Sequence, residues 1–292
     1  MNPEVWAHEG CVCGENPVWD TAHQRLFWCD IPNGRIFVQG GESGAARAIY
    51  RGEPCGAFAL QRDGSLLLLR AGDAARLDVS SGEITVLATD LMPYAGRFND
   101  CLADSQGRLL VGTMEGDGLS GERGGLFRLD PNGAISPLCA GTACSNGLAW
   151  SGDGRRLFWA DTTNRQIVVF DFEAENGTLS GRRVLLETGD LWPDGLTIDR
   201  DEHLWVAFWN GGCVRRFSPD GRAVGEIGLP VEKVTSCVFG GADFDDLFIT
   251  TAGGNGAAHP DSLDGAVFRA KVEIGGRAPF ESRVLLAGEA LQ

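Results

Sequence analysis

A sixfold internal repeat constrains the fold of this chain more than any other feature of its sequence. Each repeat holds two short apolar segments on either side of a polar or glycine-containing turn. If residues 15, 55, 99, 146, 194 and 236 are taken as equivalent, successive repeats are spaced by 40, 44, 47, 48 and 42 residues. The paired apolar segments are residues 17–19 with 27–30, 57–60 with 66–69, 101–103 with 109–112, 147–150 with 157–160, 195–198 with 204–207, and 237–239 with 247–250. A period of about 20 to 50 residues is typical of repeat architectures, in which each repeat is one structural unit.

Turn signals and further apolar runs make each repeat a unit of four strands. Hairpin turns are indicated by Asp63-Gly64, Asn132-Gly133 and Asp153-Gly154, and no segment has the period of an amphipathic helix. Third strands are predicted at residues 35–38, 125–128, 167–170, 214–217 and 265–268, and fourth strands at residues 48–50, 84–87 and 184–186. Radial repetition of such units protects the sheet edges. The sequence therefore predicts an all-β fold, a six-bladed β-propeller with four-stranded antiparallel blades around a central channel.

The last blade needs a fourth strand from one end of the chain. The candidates are Val5-Trp6 near the N-terminus and residues 284–286 near the C-terminus. The N-terminal segment holds the right place in the cyclic order, so we expect the ring to close by pairing between the two ends of the chain. With 43% hydrophobic residues, residues 1–292 are predicted to form a single domain.

Charge and composition argue against several classes of function. The chain has 40 acidic and 25 basic side chains, and its formal charge of −15 would repel nucleic acids and anionic membranes. A signal-peptide pattern and a run of about 18 apolar residues are both lacking, so a cytoplasmic protein is expected. The nine cysteines are odd in number and irregularly spaced, which indicates free thiols. Cys11 and Cys13 form a C-x-C pair, but no second pair with zinc-site spacing accompanies it.

Four of the six equivalent positions carry an oxygen-bearing side chain. They are Glu15, Asn99, Asn146 and Asp194. The first strand of each propeller blade lines the channel, so these side chains are predicted to converge at one rim. Two carboxylates and two amides, with no imidazole, are typical ligands of a hard divalent cation. Cys55 and Ser236 hold the other two positions and are expected to be small channel-lining residues.

A simpler interpretation treats these residues as turn signals before strands. Asn146-Gly147 and Asp194-Gly195 resemble the turn pair Asp63-Gly64 of the same chain. For any one of the four residues alone, the turn interpretation is favoured. Four such residues in one phase of the repeat favour the cation site.

Six motifs distributed along the chain carry a family resemblance. They are Gly14-Glu15-Asn16-Pro17-Val18-Trp19, Arg97-Phe98-Asn99-Asp100, Gly112-Thr113-Met114, Ser145-Asn146-Gly147-Leu148, Pro193-Asp194-Gly195 and Cys237-Val238-Phe239-Gly240-Gly241. Together, from about residue 10 to residue 270, they resemble the regucalcin and gluconolactonase family (senescence marker protein, gluconolactonase and luciferin-regenerating enzyme). The resemblance implies one divalent cation in the channel (Ca²⁺, Zn²⁺, Mn²⁺, Mg²⁺ or Fe²⁺), with Glu15, Asn146 and Asp194 as ligands. It implies that Asn99 lies beside both the ion and the substrate, and that Arg97 contacts the substrate.

The activity implied by the resemblance is hydrolysis of a sugar-acid lactone to the aldonic acid. The cation would polarise the lactone carbonyl and lower the pKa of water, and Asp194 would accept the proton from that water as general base. Arg97 is the candidate donor to the sugar hydroxyls or the developing oxyanion, with an ordinary ion pair to a surface acid as the alternative. An acidic residue after Met114 is also expected to contact the substrate; Glu115 is the candidate and Asp117 the alternative.

Asn16 and Cys101 stand at positions where the family frequently has glycine, and neither replaces a predicted ligand. His259, in a glycine-rich loop, is interpreted as a solvated loop residue.

Two other classes of function remain open at this stage. The same scaffold supports hydrolysis of organophosphates or aryl esters, and a channel ion would also suit a non-catalytic calcium-binding propeller. A polar channel with Arg97 favours a hydroxylated substrate. The sequence specifies neither the lactone and its ring size, nor the metal, nor the oligomeric state, and it is compatible with a monomer.

Overall fold

The computed structural model describes residues 2–41, 44–92, 96–253 and 262–285, and within them antiparallel four-stranded sheets follow one another along the chain. The first three sheets are β2 (Gly14–Asp20), β3 (Arg25–Asp30), β4 (Arg35–Gly40) and β5 (Arg47–Arg51); β6 (Cys55–Leu60), β7 (Leu66–Arg70), β8 (Ala74–Leu77) and β9 (Ile84–Ala88); and β10 (Arg97–Ala103), β11 (Leu109–Met114), β12 (Gly124–Leu129) and β13 (Ile135–Thr142). The next two are β14 (Ser145–Trp150), β15 (Arg156–Asp161), β16 (Gln166–Glu173) and β17 (Thr178–Glu187); and β18 (Pro193–Ile198), β19 (Leu204–Phe208), β20 (Cys213–Phe217) and β21 (Ala223–Gly228). The sixth contains β22 (Val234–Gly240), β23 (Asp246–Thr251), β24 (Val267–Lys271) and, at its outer edge, β1 (Glu4–Ala7).

The six sheets form a closed ring. The first strands of consecutive sheets contact one another in the order β2, β6, β10, β14, β18 and β22, and β22 contacts β2 again. All strand pairs within the sheets are antiparallel. The protein is therefore an all-β six-bladed propeller with four-stranded blades, as predicted.

The N-terminal strand closes the ring. β1 pairs with β24, with Glu4 opposite Arg269 and Val5 opposite Phe268. An ion pair between Glu4 and Arg269 and an edge-to-face contact of Trp6 with Phe248 support this pairing. The two ends of the chain meet in the last blade, as predicted, and of the two candidate segments it is the N-terminal one, which the cyclic order favoured, that completes this blade. Of the alternative segment, residues 284 and 285 bind the second and third blades instead, and residue 286 lies outside the described residues.

Three strands of the structure have no counterpart in the sequence prediction. They are β8, β13 and β21. β8 has only four residues, and β13 and β21 are exposed or half-buried along most of their length. An outer strand that buries neither face lacks the apolar alternation by which a strand is recognised in sequence.

The hydrophobic core lies between neighbouring blades. Phe27 and Ile36 of the first blade, for example, pack with Phe58 and Leu68 of the second. Each such fully buried side chain contributes about 1.5–3 kcal/mol relative to an exposed one. Because every blade packs on two neighbours, this core fixes where the inner strands lie around the channel.

Each first strand contains a β-bulge near its beginning. Asn99, Asn146 and Asp194 lie within the bulges of blades three to five, and Glu15 comes directly before the bulge of blade one. The residues within the bulges of blades two and six are Gly56 and Thr235.

The six positions expected to be equivalent therefore differ in their place relative to the bulges: Cys55 directly precedes its bulge, as Glu15 does, and Ser236 directly follows its bulge. Because the repeats differ in length, only the hydrogen-bond register between strands shows which of their residues are equivalent, and the sequence does not display that register. Cys55 lies in the core between the first two blades, where its thiol donates to the carbonyl of Ala57 at 3.1 Å, so it is not a channel-lining residue. Ser236 does line the channel cavity, as expected.

An extended segment after β24, residues 273–285, crosses one end of the channel; we name it the C-terminal strap. Its backbone hydrogen bonds reach four blades: Arg200 N to Gly275 O, Gly276 N to Phe244 O, Ser282 N to Leu60 O and Arg283 N to Gly107 O, at 2.8–2.9 Å. A cavity of about 210 Å³ occupies the channel, lined by the later residues of the first strands and by residues 277–281 of the strap. The strap thus covers the channel end that is remote from the bulges.

All nine cysteines are free, which confirms the prediction from their number and spacing. None of the residues that the structure describes belongs to a helix with the length and apolar character needed to cross a membrane.

Candidate active site

The four oxygen-bearing side chains predicted from the repeat converge at the bulges of the first strands. The carboxyl groups of Glu15 and Asp194 lie within hydrogen-bonding reach of each other. The amide nitrogens of Asn99 and Asn146 both donate to Cys144 Sγ, at 3.7 Å in each case. All four side chains are buried, with exposures of 3–7%. They share one environment although they come from four blades.

Glycine residues permit the close approach of inner strands that creates this site. A Cβ atom on Gly147 would lie 2.4 Å from Leu196 N, and one on Gly195 would lie 2.0 Å from Ser236 Oγ. Asn146-Gly147 and Asp194-Gly195 are thus parts of strand bulges, and the interpretation as turn signals is wrong. A bulge redirects the side chain that it carries, and bulges are frequent next to active sites.

The two carboxyl groups are electrostatically unfavourable without a counter-charge. Burial, followed by the charge of Asp100, raises the pKa of Glu15 to about 8. Burial and the neighbouring charge of Glu15 raise the pKa of Asp194 well above its usual value. Two buried carboxylates in contact cannot both ionise cheaply, so the pair holds a proton between them unless a cation replaces it.

The two amide side chains present their oxygen atoms to the same space. Asn99 donates to Ser145 O at 2.9 Å, and Asn146 donates to Thr162 Oγ1 at 3.2 Å. With the bonds to Cys144, both hydrogens of each amide nitrogen have acceptors. The amide oxygens accept no hydrogen bond from the described residues and remain available to a cation or a substrate.

Arg97 lies close to both carboxylates. Its charge lowers the pKa of Glu15 and of Asp194, against the larger effect of burial. Its guanidinium donates to Phe98 O and to Met114 Sδ, each at 3.0 Å, and it forms no ion pair within the described ranges. The alternative of an ordinary surface ion pair therefore has no support there. A half-buried guanidinium beside the site can still donate to a bound ligand.

The predicted substrate contacts after Met114 lie on the loop that follows β11. Glu115 is paired with Arg123, accepting from its backbone N at 3.0 Å and from its Nε at 2.5 Å. These bonds lower the pKa of Glu115. Asp117 is exposed and accepts from Leu119 N at 2.9 Å. His259 lies outside the described residues.

Two residues beside the site were not singled out by sequence reasoning as functional. Asp100 accepts hydrogen bonds from Asn16 Nδ2 at 3.0 Å and from Cys101 N at 2.7 Å, and burial raises its pKa to about 7. Asn16 has a φ of 50°, in the left-handed region that glycine and asparagine tolerate best. This conformation explains why asparagine can stand where glycine is frequent. The repeat gave no signal for Asp100, because the equivalent position in this repeat is that of its neighbour Asn99.

The donor set fits a single divalent cation held by oxygen atoms. Asp194 Oδ1 is buried and has no hydrogen-bond partner in the described parts of the chain, although such an atom normally has one. Two carboxylates would balance the charge of one divalent ion, and amide oxygens complete a hard ligand set. No cluster of three or more His, Cys, Asp or Glu side chains suited to a metal occurs in residues 2–41, 44–92, 96–253 and 262–285, so the amides are essential to this fit.

A six-bladed propeller with a buried carboxylate–amide cluster at its inner rim defines the class of this protein. The profile of one family, described as the SMP-30/gluconolactonase/LRE-like region, matches residues 13–253. The chain belongs to this family, as its motifs indicated.

Sequence relatives cover almost the whole chain. A protein named pentonolactonase XacC, from Haloferax volcanii, is 37% identical over 286 residues, which cover 94% of this chain and 96% of that relative. Regucalcin from Oryctolagus cuniculus is 33% identical over 263 residues, which cover 87% of each chain. Sugar lactonase activity is therefore represented among the relatives by name.

Solved structures agree in fold. A calcium-binding protein, regucalcin, from Agrobacterium tumefaciens superposes with a TM-score of 0.87 over 97% of this chain and 96% of that chain, at 24% identity. A luciferin-regenerating enzyme superposes with a TM-score of 0.86 over 96% of this chain and 99% of that chain, also at 24% identity. At this identity the likeness concerns the fold alone.

Proposed function

We propose that this protein is a divalent-metal-dependent hydrolase that opens a sugar-acid lactone, converting an aldonolactone to an aldonic acid. The observation that carries the proposal is the buried pair Glu15 and Asp194, with Asp194 Oδ1 left without a partner among the described residues. Membership of the family and the 37% identity to a protein named pentonolactonase support the substrate class.

Glu15, Asn146 and Asp194 are the proposed cation ligands, with Asn99 beside them. Carboxylate and amide oxygens suit Ca²⁺, Mg²⁺ and Mn²⁺, and they are also accepted by Zn²⁺ and Fe²⁺. When bound, a divalent cation supplies Lewis acidity to the lactone carbonyl and lowers the pKa of the attacking water.

Asp194 is the proposed general base. Its carboxylate has two oxygens, so one can serve as ligand while the other accepts the proton of the attacking water. The water oxygen bonds to the carbonyl carbon, the ring C–O bond breaks, and the proton that Asp194 took from the water passes to the departing ring oxygen, which becomes a hydroxyl group of the aldonic acid. Burial favours this role, because a carboxylate in a dry site is a stronger base than one in water.

Arg97 and Asn99 are proposed to bind the lactone. The guanidinium of Arg97, with no ion pair in the described ranges, can donate to a sugar hydroxyl or to the developing oxyanion. The free Oδ1 of Asn99 can accept from a hydroxyl. Both contacts favour a hydroxylated substrate over an aryl ester.

Glu115 is the third proposed substrate contact, with Asp117 as the alternative. Because Glu115 forms an ion pair with Arg123, the two side chains would together offer an acceptor and a donor to the sugar hydroxyls. Exposed Asp117 offers an acceptor alone.

The experiment that tests the proposed function measures turnover of metal-stripped protein with and without added divalent ions. The substrates are a panel of pentonolactones and hexonolactones, with an aryl ester and an organophosphate triester as comparators, and each rate is corrected for enzyme-free hydrolysis. We expect lactone turnover that disappears on chelation and returns with metal. Full activity without metal would refute the mechanism. Turnover of the comparators alone would support the ester or organophosphate alternative, and metal binding without any turnover would support a binding protein.

A further inference from the structure

Threonine hydroxyls bind the peptide that precedes each of the two carboxylates. Thr162, after the second strand of blade four, donates to Pro193 O at 2.6 Å, and Pro193 directly precedes Asp194. Thr235, within the bulge of blade six, donates to Gly14 O at 2.5 Å, and Gly14 directly precedes Glu15. In both cases the donor belongs to the blade before the one that carries the carboxylate.

The third proposed ligand has the same arrangement. Ser145 directly precedes Asn146 in blade four, and Ser145 O accepts from Asn99 Nδ2 of blade three at 2.9 Å. A carbonyl oxygen lies in the same rigid peptide plane as the Cα atom of the following residue. A hydrogen bond to that carbonyl therefore fixes the position from which the ligand side chain starts.

Thr162 also determines which atom of Asn146 faces the site. Its single hydroxyl proton is used in the bond to Pro193 O, so it can only accept from the Asn146 side chain. The amide nitrogen must then face Thr162, at 3.2 Å, and the amide oxygen must face away from it. One hydroxyl thereby orients Asn146 and holds the backbone of Asp194.

We infer that Thr162 and Thr235 are positioning residues for the cation ligands, acting as clamps between neighbouring blades. The inference rests on the proposed function, since it assumes a cation held by Glu15, Asn146 and Asp194. By this inference blade six, which supplies no ligand itself, positions Glu15 through Thr235. Groups that orient metal ligands affect metal affinity typically by about 10- to 100-fold.

Thr251 provides a matched control for a purely structural role. Like Thr235 it is fully buried, and its hydroxyl donates to a backbone carbonyl, Ala266 O, at 2.6 Å. That bond lies within blade six, and Ala266 precedes no proposed ligand. Loss of this hydroxyl should cost stability without moving the site.

The test measures cation affinity, which does not depend on turnover. Metal-stripped wild type and the variants Thr162→Val, Thr235→Val, Thr162→Ser, Thr235→Ser and Thr251→Val are titrated with Ca²⁺ and with Mn²⁺ by calorimetry, and their melting temperatures are recorded. Valine keeps the shape but removes the hydroxyl, and serine restores it. We expect Kd to rise about tenfold or more for Thr162→Val and Thr235→Val, and to stay within about threefold of wild type for the serine variants. Thr251→Val should melt earlier and bind with the wild-type Kd.

Each contrary result has a distinct meaning. Wild-type affinity in both Thr162→Val and Thr235→Val would overturn the inference and leave the proposed function intact. An equal rise of Kd in all three valine variants would assign the effect to general loosening of the ring and would also overturn it. Failure of the wild type to bind either ion would overturn the inference together with the proposed cation site. If Thr235→Val does not fold, the half-buried Thr162 still decides the question.

Discussion

Glu15→Gln is expected to stabilise the metal-free protein at neutral and alkaline pH. Burial raises the pKa of Glu15 from 4.5 to about 8. Between these values the folded protein binds a proton that the unfolded chain does not, so stability must fall as pH rises. Glutamine keeps the shape of the side chain and an oxygen for the bond from Asn16 N, which Glu15 accepts at 2.7 Å. It has no proton to lose, so the variant should escape the part of the fall that Glu15 contributes, whereas the part due to Asp194 remains.

The size of the effect follows from the interval between the pKa values of Glu15 in the unfolded and the folded protein. Stability changes by about 1.4 kcal/mol for each pH unit over which one proton is bound in the folded state alone. From pH 4.5 to about 8 this amounts to a loss of about 5 kcal/mol in wild type. The loss is absent below pH 4.5 and complete above pH 8. Wild type and Glu15→Gln should therefore be similar near pH 4.5, and the variant should be more stable by up to about 5 kcal/mol at pH 8.

The assay is urea unfolding of chelator-treated protein at pH 5 and at pH 8. Glu226→Gln, which removes an exposed carboxylate paired with Arg215, controls for the loss of a surface charge and should change stability by less than about 1 kcal/mol. Saturating metal should reverse the order, because an ion that binds only the folded state stabilises wild type more than a variant with one ligand weakened. Parallel pH dependence of wild type and Glu15→Gln would refute the reasoning.

Three further predictions concern the base, the substrate contact and the ring closure. With metal occupancy confirmed, Glu15→Gln should recover much of its lactonase rate at high metal concentration. Asp194→Asn should stay about a hundredfold or more below wild type, since an amide cannot accept the proton. Equal recovery of the two variants would leave Asp194 as a ligand only. Arg97→Lys keeps the charge but not the fork of donors, so kcat/KM for aldonolactones should fall about tenfold or more while the melting temperature stays near that of wild type; unchanged kinetics would remove Arg97 from substrate binding. Deletion of residues 1 to 9 removes β1 from the sixth blade and should lower the melting temperature by several degrees; an unchanged value would show that β1 does not hold the ring closed.

The repeat predicted the number of blades and the cluster at the rim because both depend on the same periodic backbone. Glu15, Asn99, Asn146 and Asp194 recur before apolar strands, and a propeller brings such positions together regardless of their separation in sequence. The repeat did not predict where each bulge lies. Glu15 and Cys55 directly precede their bulges and Ser236 directly follows its own, and the bulges of blades two and six hold Gly56 and Thr235.

Other features were beyond sequence reasoning because they depend on contacts between distant segments. The C-terminal strap has no periodic pattern, and its backbone bonds become visible only when blades two, three, five and six are in place. Asp100 is adjacent to a predicted site residue, but only the fold shows that its carboxylate accepts a hydrogen bond from Asn16 of another blade. The hydrogen bond from Thr235 to Gly14 spans 221 residues, and no local signal in the sequence indicates that these two residues are partners.

The contact between the first and the last blade, where the ring closes, is also part of the candidate site. Glu15 belongs to the first blade, while the carbonyl before it is held by Thr235 of the last blade. The same two blades are joined by the stacking of Trp19 on Phe248, at 5.3 Å, and the last blade is completed by β1. A chain that closes its ring through its first strand therefore brings one carboxylate of the site into place by the same event. Ring closure and cation binding should stabilise each other, because each favours the arrangement of blades that the other requires.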